Sequence, residues 1–485
     1  MKRRIVFITL LLLLLVIWFL KGNSVLAENT NSNKFIWVSS PGRQFTEQEF
    51  IQLAQNYQII IISNAHGNYD FESYNEAARR LVFLNPNIKV FPYYNTTRRF
   101  DIINSGTGFN NNWYLKDLSG NLVYDDGDTN RTHPYYDLSN ANYRAWAVSF
   151  IANWVNQAPF AGIALDDANP QELQSWIDQV GQAKASAWNA GRVEFVRQVK
   201  EALGSKLVIY NGITSDYSEF LDNNSADGAL NEMFCYQRNS QDIFGKTKQI
   251  NQIEFMRRYT RKGKILLEKT NLNPNPQKSA NPTPALQEKQ HISRLCLASF
   301  LMGYVPSKTY YKAGPGYRTD LGEIETNALE SGLDFGNPVE DYQTEGKLLK
   351  RKFENGWVFI NFESTPENVR VPERLIYANR GLEGHIYSAG DELVLRPHDA
   401  AFLLKSTAFI APTPTSYISN TPPVVPSATG VISPTLRPSV TSGPSPTSPS
   451  GGGIFNYDLG GSLSSLAADP FSILGAIVIL FFLIY

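Results

Sequence analysis

From Phe35 onward the chain repeats one hydrophobic pattern. A short apolar run is followed by a stretch with apolar residues at helical spacing, which predicts a buried strand and then an amphipathic helix. The runs predicted as strands are Phe35 to Ser39, Gln58 to Asn64, Lys89 to Asn95, Gly162 to Asp166, Lys206 to Asn211, Ala229 to Phe234 and Gly263 to Lys269. Gly303 to Tyr311 is the candidate for an eighth. Between the first two, Thr46 and Glu49 form a capping box ahead of Phe50, Leu53, Ala54 and Tyr57. Phe71, Tyr74, Ala77, Ala78 and Leu81 mark the next helix. Ser139 or Asn140 caps a third, whose stripe of Tyr143, Trp146, Phe150, Ile151 and Trp154 reads as core. Further helices are expected over residues 171–190, 191–203 and 286–302.

Strands alternating with helices imply a parallel sheet, and eight such units imply a (β/α)8 TIM barrel. The texture changes near Leu348: short alternating runs, with Asn355-Gly356 as a tight turn, predict a small all-β C-terminal domain. The expected division is 34–345 for a catalytic barrel and 346–406 for the β-domain. Both ends differ from this body. Lys2, Arg3 and Arg4 precede an apolar run and a Val25-Leu26-Ala27 cleavage site, so residues 1–27 read as a signal peptide and the body as exported. Residues 407–453 are dense in Pro, Ser and Thr, the composition of an extended stalk. Residues 454–485 end in an apolar tail from Phe471, read as a C-terminal membrane anchor that holds the protein at the cell surface.

Composition narrows the function. The 485 residues carry a net charge of −1, which gives no basic surface for nucleic acid. Aromatic residues make up 12%, enough to build a large core and also stack on sugar rings. Cys235 and Cys296 are the two cysteines. A disulfide between them is permitted in an exported protein, and two buried free thiols are an equal alternative.

The C-terminal ends of barrel strands converge on one pocket. Here they carry Asn64, Tyr93, Tyr94, Asn95, Asp166, Asp167, Asn211, Glu232, Glu268 and Lys269. A long insertion, Thr96 to Asp137, follows the third strand and adds Trp113 near the same mouth. This chain offers no phosphate-cradling glycine loop, histidine cluster of metal spacing or GxSxG elbow, so the chemistry needs no cofactor. Carboxylates with amides and aromatics suit a glycosidase cleft, where one carboxyl protonates the leaving oxygen and the other attacks C1 or activates water. Asp166 closes its apolar run and should point into the mouth, while Asp167 points elsewhere. Glu232 and Glu268 are the possible acids. Asp126 to Asp137 spaces oxygens like a calcium loop, but Arg131 stands where glycine is needed, so it reads as a solvated turn.

The segments YLKDLSGNLVYD (Tyr114 to Asp125), YYDLSNANYRAW (Tyr135 to Trp146) and GIALDD resemble the bacterial barrel glycosidases of glycoside hydrolase-like family 15. In outline they are also similar to endo-α-1,4-polygalactosaminidases. The resemblance implies an Asp after strand four and a Glu after strand six, hence Asp166 as nucleophile or base and Glu232 as acid. The expected protein is an exported, surface-tethered glycoside hydrolase acting on an extracellular polysaccharide. The rival class is a non-catalytic carbohydrate-binding surface protein on the same scaffold.

Overall fold

The computed structural model describes residues 34–406, apart from 40–44, 64–70, 100–107, 125–131, 171–173, 213–217, 238–241, 271–285, 314–332 and 379–383. The signal-peptide, stalk and anchor segments lie outside the described residues, as does Asn64. Among the described residues no helix is long and apolar enough to cross a membrane.

The elements follow the predicted alternation. They are β1 (Phe35–Ser39), α1 (Glu47–Asn56), β2 (Ile59–Ser63), α2 (Phe71–Leu84), β3 (Lys89–Asn95), α3 (Ala141–Asn156), β4 (Gly162–Asp166), α4 (Gln174–Val180), α5 (Gln182–Leu203) and β5 (Leu207–Asn211). After these come α6 (Glu219–Asp222), β6 (Gly228–Asn231), a hairpin of β7 (Tyr236–Gln237) and β8 (Asp242–Ile243), α7 (Lys246–Arg261), β9 (Ile265–Thr270), α8 (Leu286–Gly303) and β10 (Thr309–Ala313). Eight parallel strands run in the order β1-β2-β3-β4-β5-β6-β9-β10, and a parallel bridge from Lys34 to Tyr311 brings the last beside the first. Phe35, Trp37, Phe91, Tyr93, Ala164, Ile209, Leu230, Leu267 and Tyr310 fill the barrel interior. The intervening residues pack outward against the helices.

Local sequence explains most boundaries. The Thr46–Glu49 capping box forms as expected, and Asn140 caps α3. The break between α4 and α5 falls at Gly181, where φ is +83°, and not near Gly191. Gly191 sits inside α5 because the helix lies against the insertion: a Cβ there would stand 1.9 Å from the Leu138 carbonyl oxygen. The eighth strand starts later than expected because a turn stands between it and α8: the Lys308 and Thr309 N–H groups donate to the Val305 carbonyl, and Ser307 has φ at +60°.

The C-terminal sheet has the order β11-β12-β13-β18-β15-β16. Its strands are β11 (Gln343–Glu345), β12 (Leu348–Phe353), β13 (Gly356–Asn361), β15 (Leu375–Tyr377), β16 (Ile386–Tyr387) and β18 (Asp399–Leu404). It thus begins a few residues before the expected boundary at 346. One face (Leu349, Val358, Ile360, Phe402) joins the core around α8. The other covers Val369 and Leu395 of the β14 (Glu367–Arg370) and β17 (Glu392–Leu395) pair. Arg351 on β12 donates to the carbonyls of Leu301 and Met302 at 2.8 Å and of Tyr304 at 2.9 Å. A helix end leaves such carbonyls without partners, so one guanidinium closes the C-terminus of α8. Arg294 of α8 pairs with Asp399 of β18 at 2.9 Å.

Arg351→Met should therefore destabilise the protein by about 2–4 kcal/mol, because it orphans several buried acceptors at once. Denaturant unfolding measures it; a loss within about 0.5 kcal/mol, the range of ordinary surface changes, would exclude this role.

Candidate active site

Strand parity decides which side chains meet. On β4, Gly162, Ala164 and Asp166 share the inward face; on β5, Leu207, Ile209 and Asn211 do; on β3, Phe91, Tyr93 and Asn95. Asn95 and Asp166 are register partners. The ends of β3, β4 and β5 thus form one polar edge at the mouth.

Asp166 is held at both oxygens. Tyr93 Oη donates to Oδ2 and Asn211 Nδ2 donates to Oδ1, each at 2.6 Å. Burial raises the Asp166 carboxyl to about 7, helped by the charges of Asp167 and Glu232; the two hydrogen bonds pull the other way. Tyr93 is held far above the usual phenol range, first by burial and then by Asp166. Asp167 follows with φ at +52°, which turns its side chain off the strand face. Its carboxylate accepts from Asn95 Nδ2 at 2.8 Å and Arg98 Nε at 3.1 Å, and ion-pairs with the Arg98 guanidinium. Asn95 Oδ1 in turn accepts from the Thr97 and Arg98 backbone N–H groups. The turn after Asp167 is braced by Arg192 of α5, which donates to the Ala168 carbonyl and pairs with Glu219.

Glu232 falls one residue beyond β6, at a turn, with its side chain 28% exposed. It accepts from Lys269 Nζ at 2.9 Å, and Lys269 is fully buried beside the Trp37 ring. The turn is fixed from behind. The Phe234 N–H donates to the Lys269 carbonyl, Cys235 N–H donates to Gln252 Oε1, and Cys235 is disulfide-bonded to Cys296 of α8. The open choice between disulfide and free thiols is thus settled as a disulfide.

Glu268 lies on the other face of β9. It shares the outward parity of Leu266 and accepts from Asn231 Nδ2 at 2.9 Å. Burial raises its carboxyl to about 8, and the Asn231 hydrogen bond opposes that. Tyr94 likewise faces outward, its hydroxyl 3.1 Å from that of Tyr143 on α3. Trp113 packs with Phe109 of the insertion and with Tyr143 and Trp146 of α3, on the side of the outward-facing Tyr94. The structure therefore brings together Tyr93, Asn95, Asp166, Asp167, Asn211, Glu232 and Lys269. It places Glu268, Tyr94 and Trp113 elsewhere. Arg98, Arg192 and Lys312 were not foreseen. Among the described residues no group of three or more His, Cys, Asp or Glu side chains is placed to hold a metal ion.

Residues 83–357 match the family model described as hypothetical glycosyl hydrolase family 15. No curated protein matches the chain. Similar solved structures include an α-amylase from Geobacillus thermoleovorans complexed with acarbose, at 12% identity and TM-score 0.44, covering 78% of this chain and 98% of that one. The glycoside hydrolase domain of PelA from Pseudomonas aeruginosa is 14% identical, with TM-score 0.36 and coverage of 59% and 94%. Aspergillus fumigatus Ega3, complexed with galactosamine, is 12% identical, with TM-score 0.35 and coverage of 59% and 91%.

The outward Glu268 gives a stability prediction. Its folded value, about 8, lies above the ordinary 4.5. Between them the folded state binds the extra proton, so stability present at low pH is lost as pH rises through about 8. Glu268→Gln copies the protonated shape. It should melt with the parent near pH 4 and above it near pH 9, with activity retained. Loss of activity in a stably folded Glu268→Gln variant would place this residue in the reaction.

Proposed function

The chain belongs to hypothetical glycosyl hydrolase family 15, and on that premise we propose that Asp166 and Glu232 are its two reacting carboxyls. The observation that carries the reading is their convergence on one mouth, close enough that the Glu232 charge helps raise Asp166. The substrate is a glycan outside the cell. Export through the N-terminal segment and tethering through the C-terminal one are part of the same proposal, supported by the sequence pattern at both ends.

The roles follow from how each group is held. Asp166, clamped at both oxygens, has the fixed aim required of a nucleophile or of the base for an attacking water. Glu232, on a turn at the rim, is placed to reach the leaving-group oxygen. As the C1–O bond breaks, Glu232 gives its proton to the departing oxygen. The Asp166 carboxylate bonds to C1, or takes a proton from the water that does. Asp167 works through its neighbours: Asn95 bonds both its carboxylate and the Tyr93 hydroxyl, which keeps Tyr93 aimed at Asp166.

Proton placement is shared. Burial and two neighbouring charges favour the proton on Asp166. Moving a proton to Glu232 removes one of those charges, so Asp166 then ionises more readily. Such a pair titrates as a unit.

Asp166→Asn and Glu232→Gln should each lower release of reducing ends from a polysaccharide panel by about 10²–10⁴-fold while still folding, with Glu232→Gln melting below the parent because it leaves the buried Lys269 ammonium without its carboxylate. A variant that keeps parental activity on the same substrate would exclude its residue. Sugar binding by the parent with no turnover on any panel member would instead favour the carbohydrate-binding rival. The shared proton is checked by following the Asp166 carboxyl with ¹³C NMR: in Glu232→Gln its midpoint should fall below the parental value, and an unmoved midpoint would separate the two groups.

A further inference from the structure

The fold aligns two lysines behind Glu232. Lys269 on β9 and Lys312 on β10 are register partners. Both share the inward parity of their strands, set by Leu267 and Tyr310. Lys269 is 0% and Lys312 4% exposed. Glu232 leaves β6, the neighbour of β9 on its other side, and accepts from Lys269. Two ammonium groups on adjacent buried positions repel unless a carboxylate or the loss of a proton offsets them.

We propose that Lys269 and Lys312 form one positioning unit behind Glu232, in which Lys269 holds the carboxylate and the charge on Lys312 governs how readily Glu232 accepts a proton. The inference deepens the reading of Glu232 as proton donor and rests on it. Burial first, and then the Lys269 charge, push the Lys312 ammonium down to about 7, while Glu232 opposes both. Glu268 faces outward to Asn231, Tyr311 faces outward with its hydroxyl on Thr270, and Trp37 of β1 presents its ring to Lys269 at 5.7 Å. Asp166, across the mouth, interacts with Glu232.

The sign of the effect is fixed by charge. An ammonium on Lys312 adds a second positive group near Glu232 and disfavours its protonated form. As pH rises through neutrality Lys312 becomes neutral, one of the two positive charges disappears, and the bias toward the Glu232 carboxylate weakens.

The test reads Lys312 directly. The full chain is labelled with ¹⁵N-lysine and the Lys312 Nζ resonance, identified by its loss in Lys312→Met, is followed through pH. Its midpoint should rise in Lys269→Met, which removes the like charge, and fall in Glu232→Gln, which removes the counter-charge, each by about 0.5 unit or more. If Lys269→Met does not fold, Lys269→Gln makes the same charge change. A midpoint that stays fixed in both overturns the proposal, and this measurement needs no turnover. The pH–rate profile is the second readout: its alkaline limb should move down by about 0.5–1 unit in Lys312→Arg, which keeps the charge at every pH, and stay near the parental position in Lys312→Met, which matches the neutral lysine. A lysine that only supports the fold would change the melting temperature and leave the limb in place in Lys312→Arg as well, and that result also overturns the proposal. Parental activity in Glu232→Gln would instead remove Glu232 as the donor, leaving the NMR couplings to stand by themselves.

Discussion

A closed parallel barrel points every second side chain of each strand at its axis, and in this protein that parity decides which ionisable groups meet at the mouth. Asp166 and Lys269 stand on inward positions, whereas Glu268 and Tyr94 stand one residue away on outward ones. A one-residue slip in β9 would exchange Lys269 for Glu268 at the mouth and replace an ion pair with a second like charge. The hydrophobic layers fix that register, because Leu267 must fill the interior while Leu266 meets the helices. Core packing and active-site charge are therefore set by the same alternation.

Within the mouth, charge is balanced at short range. Asp166 and Glu232 carry two potential negative charges and Lys269 and Lys312 two potential positive ones, and desolvation penalises the charged forms of Asp166 and Lys312. Burial shifts Asp166 and Lys312 toward neutral forms from opposite directions, both to about 7. Near neutrality the cluster can rearrange protons without changing its total charge greatly. That property suits a reaction in which a proton leaves one carboxyl while the other must stay ionised.

Much of this was legible in the chain itself. The runs KVFPYYN and GIALD gave β3 and β4 with their observed ends, and with them Tyr93, Asn95 and Asp166. Strands buried on both faces lack the polar–apolar alternation that reveals direction, so ILLEKT and KVFPYYN do not say which of Glu268 and Lys269, or of Tyr93 and Tyr94, faces the axis. Lys312 escaped because its strand, TYYKA, has no long apolar run, and the turn at residues 305–308 moves the strand past the expected end at Tyr311. Arg98 escaped for a different reason. It reaches Asp167 from the insertion across 69 residues of sequence, a contact that only the closed fold creates.

The position of Glu232 depends on elements far along the chain. It sits past the end of β6, where strand hydrogen bonding no longer fixes the backbone. Restraint comes from Cys235, three residues on, which is joined to Cys296 in the middle of α8. That helix is held in turn by the C-terminal sheet: Arg351 closes its last carbonyls, Asp399 pairs with Arg294, and Val358, Ile360 and Phe402 share its core. The small β-domain is thus connected to the site through one helix and one disulfide. A barrel alone supplies parity; the turn beyond its rim needs a support that parity cannot provide.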